Sequence, residues 1–158
     1  MYKRQLFYEA LKKNYQYIIV DGLRNFSDHA VTVMDLADQI VIPVTQDVPS
    51  VRSAKRALNL FERLGYPKHK LTFILNRYHK KGLISLETIE DVLNREIDLF
   101  IPNQFHFVSQ AVSDGLMFKD LVPNHKVTRA VLNMSLTLAG QAHLIPKKKN
   151  LFQRLFGR

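Results

Sequence analysis

Short apolar runs that alternate with helical patterns constrain the fold of this chain more than any other feature. Four runs have the character of β-strands, and they cover residues 17–21, 39–45, 70–76 and 97–102. In the first of them Ile18, Ile19 and Val20 follow one another without a polar residue, which is typical of a parallel strand buried on both faces. Because helical segments separate the runs, right-handed crossovers between parallel strands are expected. The sequence therefore predicts an α/β fold, with a four-stranded parallel β-sheet flanked by helices.

Amphipathic periodicity predicts the helices that connect these strands. The segment 49–64 is the clearest, because a proline lies near its start, apolar residues recur at helical spacing and Gly65 follows its end. Further helices are expected at residues 2–14, from Ser27 or Asp28 to residue 36, from Ser85 to residue 93, as a short turn at 109–112, and at 126–144.

The composition predicts one folded domain followed by a basic tail. A chain of 158 residues with 46% hydrophobic content can bury one sizeable core. Five of its positive charges lie within residues 147–158 without an acid among them, which leaves +4 of the formal +9 for everything before. We therefore expect a domain over residues 1–145 and a tail over residues 146–158. The chain has no cysteine, which excludes disulfides and thiolate chemistry and fits a reducing compartment.

Asp21 stands at the end of the first apolar run. In open α/β sheets the ligand crevice lies at the carboxyl ends of the strands, so this carboxylate is a candidate for chemistry. Four apolar residues followed by Asp is also the pattern in which the Asp holds Mg²⁺, usually through water, beside a nucleotide phosphate. The alternative is an aspartate that caps the next helix. The pattern by itself favours neither.

The tail has the composition of a helix that lies in a membrane surface. If residues 150–156 are helical, four large apolar side chains share one edge and the cations flank it. This arrangement suits insertion among anionic headgroups, whereas the alternative is a tail that is disordered or docked on the core. The apolar residues are Leu151, Phe152, Leu155 and Phe156, and the cations are Lys147, Lys148, Lys149, Arg154 and Arg158.

Several separate segments resemble one family in order and spacing. They are YIIVD, then SDHAVTVMDLADQIVIPVTQDVPSVRSAKRALNLFERLGYPKHKLTFILNRY, then ISLETIEDVL and IPNQFHFVSQAVSDG. Together they resemble the carboxyl-terminal half of the MinD/ParA-type deviant P-loop ATPases, and most of all the CpaE/TadZ proteins of Flp-type pilus assembly. The terminal NLFQRLFGR is similar to the membrane-targeting helix that ends MinD proteins.

The resemblance implies roles for individual residues around a nucleotide. Asp21 matches the aspartate that supports Mg²⁺, and Asn76 matches the asparagine that reads the adenine edge, with Arg77 beside it. Residues 47–52, beginning with Asp47, match the segment that lines the nucleotide and faces a dimer partner. The loop that packs along the base is matched by Pro102 and Asn103. Each residue has a plainer alternative, because Asn76 can cap a turn, Asp47 a helix, and Asn103 can form an Asx turn.

The glycine-rich phosphate loop of that family has no counterpart in this sequence. No GKT or GKS run occurs, and the glycines at 22, 65, 82, 115, 140 and 157 are isolated. Such a loop aims consecutive backbone N–H groups and a lysine at the phosphates. ATP or ADP and Mg²⁺ are thus implied for the full-length family, whereas we expect this chain alone to bind ATP with millimolar affinity at best and not to hydrolyse it. It is either a fragment of a longer ATPase or a degenerate homologue that serves as a scaffold.

The resemblance also implies partners and a location. It suggests a homo-oligomer, pilus or secretion assembly proteins as partners, and a cytoplasmic protein held peripherally at the inner membrane through its tail. The alternative of ParA-like DNA binding rests on four cations that the pattern predicts to be exposed, Lys55, Arg56, Lys80 and Lys81. Because these charges alternate with acids or lie in one loop, the pattern favours a solvated face over nucleic acid. In this family the phosphate-loop strand lies between strands 17–21 and 39–45, so those two should either pair directly or expose backbone edges.

Overall fold

Three parallel strands form the sheet of this protein. The computed structural model describes residues 2–23 and 26–145. Within them the strands are β1 (Ile40–Val44), β2 (Leu71–Tyr78) and β3 (Leu99–Pro102), in the spatial order β1-β2-β3. Both pairings are parallel, with Ile40 opposite Leu71 and Ile74 opposite Leu99. The predicted α/β architecture is confirmed, with three strands in place of four.

Helices connect and cover these strands largely as their periodicity predicts. The structure contains α1 (Tyr2–Asn14), α2 (Asp28–Leu36), α3 (Val48–Arg63), α4 (Leu86–Leu93), α5 (Phe105–Asp114), α6 (Phe118–Leu121) and α7 (Lys126–Leu138). Two short 3₁₀ turns, Lys68–Lys70 and Ala142–Leu144, precede β2 and follow α7.

Local capping chemistry fixes where three of the helices begin. Side-chain oxygens of Ser27, Asp47 and Ser85 each accept the backbone N–H three residues later, at the starts of α2, α3 and α4. Such a bond satisfies one of the N–H groups that a helix start leaves without an intrahelical partner.

The core lies between the sheet and helices α2, α3 and α4. Alternate residues of β2 point into it, and Phe73 and Leu75 are completely buried there. Helix α7 packs against β3. The buried cluster comprises Ala30, Met34, Val44, Val51, Ala54, Leu58, Phe61, Leu71, Phe73, Leu75, Ile89, Leu93 and Ile97.

The predicted strand over residues 17–21 is wrong. This segment has no regular secondary structure, and the side chain of Ile19 is 91% exposed. A strand needs a neighbour to satisfy its backbone N–H and C=O groups, and within the described residues nothing pairs with this segment. Apolar composition therefore did not suffice to make it a strand.

Strand β1 is left at the edge of the sheet. In the part of the chain that the structure describes, β1 pairs with β2 alone, so its other backbone edge carries no strand. The side chains of Ile40 and Ile42 pack towards the core, whereas Val41 and Pro43 are exposed. Of the two expected outcomes, direct pairing with residues 17–21 or an exposed edge, the structure has the exposed edge.

Two further helix predictions need correction. The short turn expected at 109–112 is part of the longer α5, which ends where Gly115 adopts a left-handed φ of 63°. The last helix ends at Leu138 and not at residue 144, because Gly140 has a φ of 71° that a right-handed helix excludes. Helix α6 was not predicted.

The predicted tail over residues 146–158 lies outside the described residues. Within residues 2–23 and 26–145, no helix is both long enough and apolar enough to cross a bilayer.

Candidate functional site

The carboxyl ends of the three strands bring most of the predicted site residues to one edge of the sheet. Asp47 follows β1, Asn76 and Arg77 lie near the end of β2, and Pro102 ends β3 with Asn103 next to it. In a parallel sheet these ends lie side by side, and this is the edge at which open α/β sheets bind their ligands.

A bulge in β2 sets the positions of Asn76 and Arg77. Leu75 pairs with Phe100, but Tyr78 pairs with Pro102, so β2 has one more residue than β3 between the two pairs. Arg77 accommodates the extra residue with a φ of 52°, in the left-handed region. The Asn76 Oδ1 accepts the N–H of the next residue, Arg77, at 2.9 Å within the strand, so this bond belongs to the bulge and does not cap a turn. Bulges of this kind re-aim side chains, and here the bulge lies at the ligand edge.

One backbone hydrogen bond joins the ends of β2 and β3. The Asn103 N–H donates to the Tyr78 carbonyl at 2.9 Å. The ring of Tyr78 meets that of Phe100 edge to face, with centroids 5.3 Å apart. Pro102 is half-buried and Asn103 is exposed. The backbone of the loop after β3 is thus held by this hydrogen bond, while the Asn103 side chain faces solvent.

Asp47 is engaged as the cap of α3. Its carboxylate accepts the Ser50 N–H at 2.8 Å and the Thr45 hydroxyl, and Thr45 in turn donates its N–H to the Ser50 Oγ at 2.9 Å. The hydrogen bond from Thr45 and then that from Ser50 lower the pKa of the Asp47 carboxyl from its ordinary value. The capping role proposed as the alternative for Asp47 is therefore present.

Gln46 is the residue that sequence reasoning missed. Its side-chain carbonyl accepts the His79 N–H at 2.7 Å, and its amide nitrogen donates to the Ile84 carbonyl at 2.9 Å. These two bonds tie the loop after β1 to the connection between β2 and α4. Gly82 lies against the same amide, and a Cβ atom there would overlap it. The signal available in the sequence was a polar residue directly after a predicted strand, beside Asp47.

Asp21 occupies neither of its two predicted positions. It does not end a strand, and α2 begins later with Ser27 as its cap, so Asp21 does not cap that helix. Its Oδ1 accepts the N–H of Gly22 at 2.7 Å, in an exposed segment without regular secondary structure where Gly22 has a φ of 83°. Among residues 2–23 and 26–145, no three His, Cys, Asp or Glu residues gather as metal ligands would. A Mg²⁺ ion that Asp21 holds through water beside a nucleotide phosphate needs no such cluster, so that role stays a prediction.

The carboxyl end of the sheet offers contacts for a planar base, whereas the described residues there form no cradle of backbone N–H groups for phosphates. The Asn76 amide carries both donor and acceptor atoms, Arg77 is exposed beside it, and the fixed loop of Pro102 and Asn103 lies next to them. A phosphate cradle requires several backbone N–H groups that converge on one point. The Asn103 N–H and the Ser50 N–H are already bonded within the protein.

Comparison with known proteins gives a curated relative at low sequence identity. No model of a known protein family matches the chain. The septum site-determining protein MinD of Thermotoga maritima is 23% identical over 138 residues, which cover 84% of this chain and 50% of that protein. The chain thus spans about half the length of this curated relative.

Solved structures agree with this relative. The ParA family ATPase of Chlorobium tepidum superposes with a TM-score of 0.76 at 25% identity, over 85% of this chain and 55% of that one. A chain of the MinC:MinD cell division protein complex of Aquifex aeolicus has a TM-score of 0.72 at 27% identity, over 92% of this chain and 60% of that one. At low identity but over most of its length, this chain is therefore homologous to MinD and ParA-family ATPases and shares their fold.

Proposed function

We propose that this chain is the base-contacting half of a MinD/ParA-type ATPase of the CpaE/TadZ kind. In this proposal it helps to localise pilus or secretion assembly proteins at the inner face of a bacterial membrane. Homology to MinD and ParA-family proteins supports the general class. The resemblance of the quoted segments and of the terminal NLFQRLFGR supports the assignment to pilus assembly and to the membrane.

The observation that carries the proposal is the convergence of three loops at one edge of the sheet. The Asn103–Tyr78 hydrogen bond and the two bonds of Gln46 hold these loops in fixed relative positions. A preorganised edge of this kind binds a ligand without first ordering its loops.

Each residue at the edge then has a role towards the base. The Asn76 amide pairs with the adenine edge, because its carbonyl oxygen keeps a second lone pair and its nitrogen donates. Arg77 stacks on or beside the ring. Pro102 and Asn103 form the wall along the base. Phosphates and Mg²⁺ require groups other than those that these residues supply.

A non-catalytic scaffold is the second candidate function. It is favoured by the bonds of Asp47 and Asn76, whose side chains already accept hydrogen bonds within the fold. A scaffold would use the same fold for protein contacts and leave the edge without a ligand. ParA-like DNA binding remains the less favoured alternative.

An NMR titration of the full chain with adenosine, ADP and MgATP tests the proposal. We expect weak binding, with Kd of about 1 mM, and similar affinity for all three ligands, because only the base is contacted. Shifts should concentrate at Asn76, Arg77 and Asn103. Asn76→Ala should abolish them, whereas Asn124→Ala, at an exposed turn far along the chain, should leave them unchanged.

Two results would decide against base recognition. Micromolar MgATP binding that adenosine does not reproduce would require a phosphate site in these residues. The absence of any shift at the edge with saturating adenosine would favour the scaffold.

A further inference from the structure

The connection between β2 and α4 combines an exposed apolar tip with a cluster of cations. We call residues 79–84 the β2–α4 loop. Leu83 in this loop is 95% exposed, more than any other large apolar side chain in the described residues. Lys80, Lys81 and the neighbouring Arg77 are exposed as well.

The loop is held in one conformation by its own hydrogen bonds. The Gly82 N–H donates to the His79 carbonyl at 3.0 Å, and the Lys81 N–H donates to the His79 Nδ1 at 3.1 Å. Gln46 binds both ends of the loop, at His79 and at Ile84. Ile84 packs against the core, whereas Leu83 beside it points to solvent. The exposure of Leu83 is therefore a consequence of a well-bonded loop geometry.

Along the chain from Arg77 to Ser85 the charge has a single sign, and the first acid after this stretch is Glu87. Residues 77–85 contain Arg77, Lys80 and Lys81 and no acid. Near an anionic surface each such cation contributes attraction that decreases with salt. An apolar side chain between cations matches a layer in which charged headgroups lie just above acyl chains.

We propose that the β2–α4 loop docks on an anionic lipid surface with Leu83 inserted between the headgroups. This contact is separate from the tail and goes beyond the proposed function. A nucleic acid would place phosphates against the apolar tip of Leu83, so it fits the loop less well. A bilayer surface requires no shape complementarity. Its headgroups can contact the cations while its acyl chains contact the leucine.

Tryptophan fluorescence reports the insertion directly, because the chain contains no tryptophan. Leu83→Trp in the full chain should shift its emission to the blue with vesicles of phosphatidylglycerol and phosphatidylcholine in equal parts. Brominated lipid should quench that emission. Leu132→Trp is the matched control, on α7 at a leucine that is 51% exposed, and it should keep its emission. The proposal would be overturned if Leu83→Trp sediments with these vesicles but its emission stays unchanged. It would also be overturned if the chain does not sediment with the vesicles at all.

Variants of the loop test the apolar and the charged part of the lipid contact separately. Leu83→Asp, and in another chain the double variant Lys80→Gln with Lys81→Gln, should each weaken vesicle binding about tenfold. The double variant Lys119→Gln with Lys126→Gln removes the same charge from exposed positions of α6 and α7 and should change vesicle binding by less than about twofold.

The remaining outcomes distinguish this loop from the tail and from nucleic acid. A loss with Phe156→Asp alone, and none with Leu83→Asp, would assign membrane binding to the tail and overturn the loop proposal. A loss with Leu83→Asp but not with Phe156→Asp would support the loop and overturn the tail. If the Lys80 and Lys81 variants weaken binding to duplex DNA but not to vesicles, the loop belongs to nucleic acid and the lipid proposal is wrong.

Discussion

The Gln46 side chain makes hydrogen bonds to backbone groups that lie beyond the end of β2, outside the hydrogen-bond ladder of the sheet. The connection after β2 leaves the His79 N–H and the Ile84 carbonyl outside the sheet, and the Gln46 amide satisfies both. A primary amide can accept through its carbonyl oxygen and donate through its NH₂ group at the same time. The close approach of Gly82 to this amide leaves no room for a side chain at that position.

Gly82→Ala should therefore destabilise the protein by about 1–2 kcal/mol, because the new Cβ displaces the Gln46 amide and breaks its two hydrogen bonds. Urea unfolding followed by circular dichroism measures the free energy of unfolding. The matched comparison is Gly82→Ala in a Gln46→Ala background, where the amide is already gone and the second substitution should cost much less. Equal costs in both backgrounds would contradict this account.

At the scale of secondary structure, elements fixed by local signals were predictable. The strand predicted at 39–45 is found at Ile40–Val44, and the helix predicted at 49–64 is found at Val48–Arg63. Their signals lie within the segments themselves, as a β-branched run, a helical stripe, a capping Asp47 and Gly65. Residues 17–21 carry an equally strong apolar signal, but a strand exists only with a neighbour, and the composition of a segment does not supply one.

The candidate site was predictable in place and not in detail. The strand ends located Asp47, Asn76 and Pro102 at one edge because parallel strands end together. The bulge that sets Arg77 depends on the register of β2 against β3, which no local pattern contains. The role of Gln46 was equally hidden, because its partner His79 lies 33 positions later in the chain.

The open edge of β1 should make the isolated chain self-associate. Within the described residues the outer backbone edge of β1 pairs with no strand, and Val41 on this strand is 40% exposed, so a second copy can cover this surface. Val41→Lys should weaken the association about tenfold, because a charge on this face opposes burial. Light scattering and sedimentation over a range of concentrations measure the effect.

The control for this prediction is Val92→Lys on α4, where the valine is 42% exposed and belongs to no sheet edge. It should leave the association unchanged. A monomer at high concentration, or an equal effect of both substitutions, would count against association through β1.

At the scale of the whole molecule, positive charge is concentrated at the carboxyl-terminal end of the chain. Residues 147–158 hold five of the cations and no acid, together with two pairs of Leu and Phe. Full burial of such apolar side chains contributes about 1.5–3 kcal/mol each, but interfacial insertion is partial and the segment must be ordered on binding. One tail is thus expected to bind weakly and reversibly, and two tails in one assembly to bind firmly.

Phe156→Asp should therefore release the protein from anionic vesicles while its circular dichroism and unfolding midpoint stay as in the wild type. Phe152→Asp should act in the same way, because both rings lie on the same predicted edge. Neutral vesicles should bind the wild type much less than anionic ones, since the cations then lose their partners.

Gln153→Asp adds the same charge off the apolar edge, so it separates loss of insertion from loss of net charge. Its sedimentation should fall only slightly. If wild type and Phe156→Asp sediment equally with anionic vesicles, the tail is not a membrane anchor. A tandem pair of tails on an inert carrier protein should reach the vesicles where a single tail does not, because linkage makes the second insertion intramolecular.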